Sequence, residues 1–214
     1  MAEQSDAVAT PARWERLCRG LAVAADERTY RQLIKAWSGF GRYYHSLAHL
    51  EACLWEFDRI SANATRPAEV EAALWFHDAV YKTYSKVNEA RSAEWAVKFL
   101  SAHGAKNDAV ARIREYILAT QHAATGLLGD AALVIDIDLS ILGQPPTIYD
   151  QFERNVRKEY WWVRKGRFAA ARIAVLQSFL NRPHIYGSTL LRTRYESAAR
   201  SNLERAIDAL RPAS

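Results

Sequence analysis

This sequence predicts a fold built entirely of helices, and three observations support that. Glycine and proline are sparse, nine and six in 214 residues, too few for a turn-rich all-β chain. Apolar residues recur at three- and four-residue spacings in nearly every segment. Only Ile135-Asp136-Ile137-Asp138-Leu139 alternates like a strand, and it has no second strand to pair with; a lone strand leaves its backbone hydrogen bonds unmet.

Residues 1–11 read as a disordered leader ending at Pro11, and residues 12–210 as a single domain, since half the chain is hydrophobic and can fill one core. A first helix over 12–24 carries Trp14, Leu17, Leu21 and Val23, and a second covers 27–37. Ser38-Gly39-Phe40-Gly41 interrupts the pattern, because glycine disfavours helix and permits a turn. Helix resumes over 46–60. The next helix begins after Pro67, with Glu69 and Glu71 early, where the dipole favours acids, and carries Val70, Leu74 and Val80 through His77-Asp78 as a central helix. Further helices are expected over 88–100, 109–120 and 133–143. Residues 144–147, Gln-Pro-Pro-Thr, read as a linker before helices over 148–163, 167–180 and 195–210.

The net charge is +5, concentrated late in the chain: between Gln151 and Arg200, eleven Arg or Lys face three Glu, a local excess of +8. Such a flank attracts anionic ligands, although most of these residues suit solvated helix faces. No nucleic-acid-binding motif accompanies the charge, so nucleic acid is not the expected partner. Cys18 and Cys53 are expected to be reduced, buried and inert. No stretch approaches 18 apolar residues and no signal-peptide pattern opens the chain, so a cytoplasmic protein without a membrane span is expected. Adjacent aromatics in Tyr160-Trp161-Trp162-Val163 cannot all face one core, which points to a homodimer interface.

Chemistry centres on His77-Asp78, set in the apolar run Ala72-Ala73-Leu74-Trp75-Phe76-His77-Asp78-Ala79-Val80-Tyr81. Two metal-ligating side chains there would cost several kcal/mol to desolvate without an ion or a hydrogen-bond partner. His45 and His49 lie four apart, one face of a helix if both are helical, and suit either a shared ligand or bonds to backbone. Asp136 and Asp138, two apart, point in different directions on a helix. Asp138 is read as a ligand and Asp136 as orienting ligands or water from behind, or as a helix cap.

In order, His45, His77-Asp78 and Asp138 resemble the H…HD…D signature of the HD-domain superfamily of metal-dependent phosphohydrolases, an all-helical bundle fold. Tyr44-His45-xxx-His49-Leu50, Trp75-Phe76-His77-Asp78-Ala79-Val80-Tyr81, Asn88-Glu89, Ala119-Thr120-Gln121-His122 and Asp136-x-Asp138-Leu139-Ser140-x-x-Gly143 resemble more narrowly a bacterial subgroup of small predicted HD phosphohydrolases, over roughly residues 42–203. The resemblance implies that His45, His77, Asp78 and Asp138 hold a divalent metal ion. It implies that His49 serves a second ion or a substrate phosphate, and that His122 binds phosphate or an ion. Glu89 would position the attacking water. Lys82, where relatives carry a small polar or acidic residue, could pair with phosphate; Val87 departs from an acid. Arg154 and Arg157 are candidates for the substrate phosphate, with salt bridges to Glu153 or Glu159 as their alternative use.

A nitrogen and oxygen ligand set without thiolate suits Mn²⁺, Fe²⁺, Co²⁺, Ni²⁺, Zn²⁺ or Mg²⁺. The implied activity is hydrolysis of a small phosphorylated substrate, a nucleotide first, by metal-activated water, with Asp78 or Asp138 assisting. The alternative is an HD fold that binds nucleotide without turnover.

Overall fold

The computed structural model describes residues 8–122 and 126–211, and among them it contains ten α-helices, two 3-10 turns and no strand. In chain order the helices are α1 (Pro11–Gly20), α2 (Glu27–Trp37), α3 (Leu47–Ile60), α4 (Pro67–Phe76) and α5 (Asn88–Ala102). They continue as α6 (Asn107–Ala119), α7 (Gly129–Asp138), α8 (Pro146–Glu159), α9 (Lys165–Leu180) and α10 (Thr189–Leu210). The 3-10 turns are Ser61–Asn63 and Leu139–Gly143. The strand-like alternation at Ile135 to Leu139 is helical, because α7 is buried on almost every side and apolar residues serve it all round. Among the described residues no single helix is long and apolar enough to cross a membrane.

Boundaries follow local chemistry. Thr10 caps α1 by accepting from the Arg13 N–H, and Pro11 takes the first helical position, where its missing N–H is no loss. Pro11 therefore starts the helix instead of ending a leader, and Ala9 is already buried, its carbonyl accepting from the Tyr30 hydroxyl. The first seven leader positions lie outside the described residues. The helix stops at Gly20, short of 24, where the chain turns through Ala22 with φ 55°. Pro146 likewise opens α8, so 144–147 is less linker than helix start.

The largest departure from expectation is α4. It ends at Phe76, so His77 and Asp78 lie in the turn beyond it. Past Phe76 the backbone finds other partners: Ser92 Oγ accepts from the Val80 N–H at 3.0 Å, and Arg42 binds the Asp78 and Ala79 carbonyls. α4 is nevertheless the central element, in contact with α1, α3, α5, α6 and α7, and Val70 and the run from Ala72 to Phe76 are almost wholly buried. The buried apolar residues of all ten helices form one cluster. Four helices, α4, α6, α7 and α8, direct their C-terminal ends toward the same region, at His77, His122, Asp138 and Glu159. Their partial negative charges favour a cation there.

Candidate metal centre

Four of the six histidines converge on two aspartates. Asp138, the last residue of α7, has Oδ1 3.1 Å from His49 Nε2 and 3.6 Å from His77 Nε2, while its Oδ2 lies 3.1 Å from His122 Nε2. The two imidazoles themselves meet, His49 Nε2 to His77 Nε2, at 3.2 Å. Asp78 Oδ2 stands 3.6 Å from His77 Nε2 and 3.9 Å from His45 Nε2. Donors bound to one ion at about 2.1 Å lie about 3.0 Å apart as an octahedral cis pair and about 3.4 Å apart in a tetrahedron. The spacings run from that range to slightly beyond it. His49, Cys53, His77 and Asp138 offer ligand atoms all within 4.8 Å of one another, a group that could hold a metal ion.

Each ring is oriented from behind. His77 Nδ1 donates to the Leu74 carbonyl at 2.9 Å, which leaves Nε2 facing the cluster. His45 is fixed by Glu159, at the end of α8: Oε2 lies 2.7 Å from His45 Nδ1, and Oε1 accepts from the N–H groups of Tyr43, Tyr44 and His45 at 2.8, 2.7 and 2.9 Å. One carboxylate therefore holds both the imidazole and the loop that carries it. Tyr81 completes this arrangement, stacking on His45 at 4.0 Å and donating its hydroxyl to Glu159. Arg42 ties the two motif loops together, donating to the carbonyls of His45, Asp78 and Ala79 at 2.7–2.9 Å. Trp37 packs against the rings of His49 and His77.

The electrostatics favour positive charge. Burial works against protonation of His77, yet the Asp78 and Asp138 carboxylates outweigh it and lift its pKa to about 9. Burial lowers His49, which favours the neutral, ligand-competent ring. Burial would raise Asp138, but bonds from His122, His49 and His77 hold it well below the usual carboxylate range.

Several expectations change. His45 and His49 do not share a helix face: His45 precedes α3, whose first residue follows the cap position Ser46, and a loop bonded to Glu159 swings its ring to within 6.1 Å of His49. Asp136 orients nothing in the cluster, because its carboxylate accepts from the Gly187 and Ser188 N–H groups at 2.8 and 2.7 Å. Arg154 bonds Gln151 on the surface, and Arg157 donates to the carbonyls of Tyr160 and Val163 just past the end of α8. Neither arginine reaches the cluster, and neither pairs with Glu153 or Glu159, which take Arg172 and His45 instead.

Lys82 is exposed, and only its backbone is engaged, by the side chain of Asn88. Glu89 sits in the first turn of α5, with no hydrogen bond or ion pair to the cluster. Trp161 and Trp162 are exposed, with Trp162 donating to Thr83 Oγ1.

Sequence reasoning missed Cys53, Glu159 and Arg42. Cys53 is buried as expected but not remote from the chemistry: its Sγ lies 3.7 and 3.8 Å from the two nitrogens of the His49 ring. Near-equal distances put the sulfur beside the ring, off the line of the Nε2 lone pair, and burial raises the thiol well above its ordinary pKa. A four-residue spacing from His49 on α3 was the available signal. Nothing local marks Glu159, 114 residues from His45. No protein-family model, no curated protein and no solved structure matches this chain.

Proposed function

We propose that the chain is a metal-dependent phosphohydrolase of the HD type, releasing phosphate or pyrophosphate from a small phosphorylated substrate, with nucleotides the first class to screen. The observation that carries this reading is the meeting of His45, His77, Asp78 and Asp138. These residues lie in the H…HD…D order, come from three segments distant in sequence, and are linked by contacts of 3.6–3.9 Å. They would hold a divalent ion, with His49 beside them, in keeping with the ion-binding alternative expected for it. A bound ion supplies Lewis acidity, activating water near neutral pH and neutralising phosphate charge.

The protein's own groups have separate tasks. Glu159 and the Leu74 carbonyl keep protons on the Nδ1 atoms of His45 and His77, so that both Nε2 atoms face inward. His122 Nε2, beside Asp138, is placed to hold a proton for a phosphate oxygen. Trp37 and Tyr44 exclude water from the back of the cluster. Lys82, exposed on the loop that follows Asp78, is a cation for an incoming phosphate.

The test is metal analysis of untreated protein, then phosphate release across a nucleotide panel with Mn²⁺, Co²⁺ or Ni²⁺. Asp78→Ala and Asp78→Asn, each checked for native helicity by circular dichroism, should lose bound metal and turnover together. Full activity in either folded variant overturns the site. A nucleotide that raises the melting temperature without any turnover overturns the enzyme and leaves a binding module.

A further inference from the structure

A second cavity, of about 330 Å³, lies against the opposite side of α7. Asp136 lines it while Asp138 faces the metal centre; two residues apart on a helix, they diverge by about 200°. Its wall combines apolar surface from Leu127, Leu128 and Ile135 with Arg182, His184 and Arg192.

The two arginines differ from three of the other late arginines. Arg172, Arg194 and Arg200 are each paired to a glutamate at 2.6–2.8 Å. Arg182 and Arg192 make no ion pair among the described residues. Arg182 donates to the His122 carbonyl at 2.6 Å and lies over the Phe179 ring at 4.6 Å, and Arg192 has the Gly187 carbonyl at 3.3 Å, with its buried Nε unpartnered. The lining's one carboxylate, Asp136, is occupied by two backbone N–H groups. Burial lowers the pKa of Arg182 with no acid to offset it. Two partly buried cations share one cavity whose single acid, Asp136, is felt by Arg192 from beyond ion-pair distance and is tied to backbone, which leaves a demand for an anion. The apolar wall gives that anion's body somewhere to lie, and the volume suits a small organic molecule.

We infer that this cavity is a second ligand site, taking a small organic anion whose phosphate or carboxylate group pairs with Arg182 and Arg192 while its body rests against Leu127, Leu128 and Ile135. The site is separate from the metal centre and does not depend on phosphohydrolase activity.

Phenylphosphonate, which has no ester to hydrolyse, and inorganic phosphate are the probes, titrated calorimetrically into chelator-treated protein. Phenylphosphonate should bind saturably and more tightly than phosphate. Arg182→Gln and Arg192→Gln should each weaken it at least tenfold, Arg192→Lys less, and His45→Ala not at all, with circular dichroism melts confirming that each variant is folded. Absence of binding overturns the site, as does binding that both glutamine variants retain. Loss in His45→Ala also overturns it, because the anion would then sit in the metal centre.

Discussion

Glu159 shows how much one buried carboxylate can organise. Its two oxygens receive three backbone N–H groups, an imidazole and a tyrosine hydroxyl, so a substitution there strikes the loop and the ligand together. Glu159→Gln keeps the shape but offers one acceptor oxygen where two are in use. We expect divalent-ion affinity, measured by calorimetry, to fall about 10- to 100-fold, as it does when groups orienting a metal-bound histidine are lost. Unchanged affinity would show that His45 is not a ligand held by Glu159. A capping residue gives a simpler case. Asp26 accepts from the Thr29 hydroxyl and from the Arg28 and Thr29 N–H groups, chiefly the Thr29 contact lowering its pKa from the ordinary 3.8. A depressed carboxylate stabilises fully above its unfolded pKa and loses that contribution as pH falls through the folded value. Asp26→Ala should therefore cost about 1 kcal/mol at neutral pH. The gap between the two proteins in urea melts should close below pH 3.8; a gap that persists in acid would remove the carboxylate from the account.

At the level of elements, the turn after α7 links the candidate metal centre to the last helix. Leu139–Gly143 packs on α10, and Asn202 holds it by donating to the carbonyls of Leu142 and Gln144 at 2.9 and 2.8 Å. Gly143 is required there by close approach: a Cβ at that position would stand 2.5 Å from the Tyr195 Cβ, on a helix that cannot move without dragging its neighbours. Gly143→Ala should destabilise by about 1–3 kcal/mol, typical of overpacking, and lower the melting temperature. If it melts like the unchanged protein, α10 is not locked to the turn that follows Asp138. Tyr195 also donates to Glu56 on α3, at 2.9 Å, so α10 braces both a helix that carries a cluster histidine and the turn that follows the cluster aspartate.

For the molecule as a whole, the cluster gathers side chains from the loop before α3, from α3 itself, from the turns after α4 and α6, and from the end of α7. An ion that grips all of them binds the folded chain and not the unfolded one, and so stabilises the fold by about 2.7 kcal/mol at one hundred times its dissociation constant. The melting temperature should rise with added Mn²⁺, Co²⁺, Ni²⁺ or Zn²⁺ and fall with chelator, measured by calorimetry; indifference to every ion would remove the metal from the proposal. The +8 excess late in the chain is weaker as a field than its count implies. Glu56, from outside that segment, neutralises Arg194, whereas the Glu153 and Glu196 that pair with Arg172 and Arg200 are already subtracted in the +8.

Helical character was fully legible, since apolar spacing at 3.6 residues is a local property and survives into any packing. The candidate ligands were legible as residue types: histidines and aspartates in apolar surroundings need compensation wherever they finish. Three things depended on tertiary structure. The end of α4 at Phe76 depends on Ser92 and Arg42 capturing the chain beyond it, and neither lies near it in sequence. The roles of Asp136 and Asp138, chemically identical and two residues apart, were decided by which side of α7 meets the 187–188 loop and which meets the histidines. Glu159 became the support of His45 only because α8 returns its C-terminal end to a loop 114 residues earlier. The sequence by itself determined the helices and the inventory of ligating groups, because both follow from short-range chemistry. Which of those groups meet, and what holds them, was decided by long-range packing that no local pattern encodes.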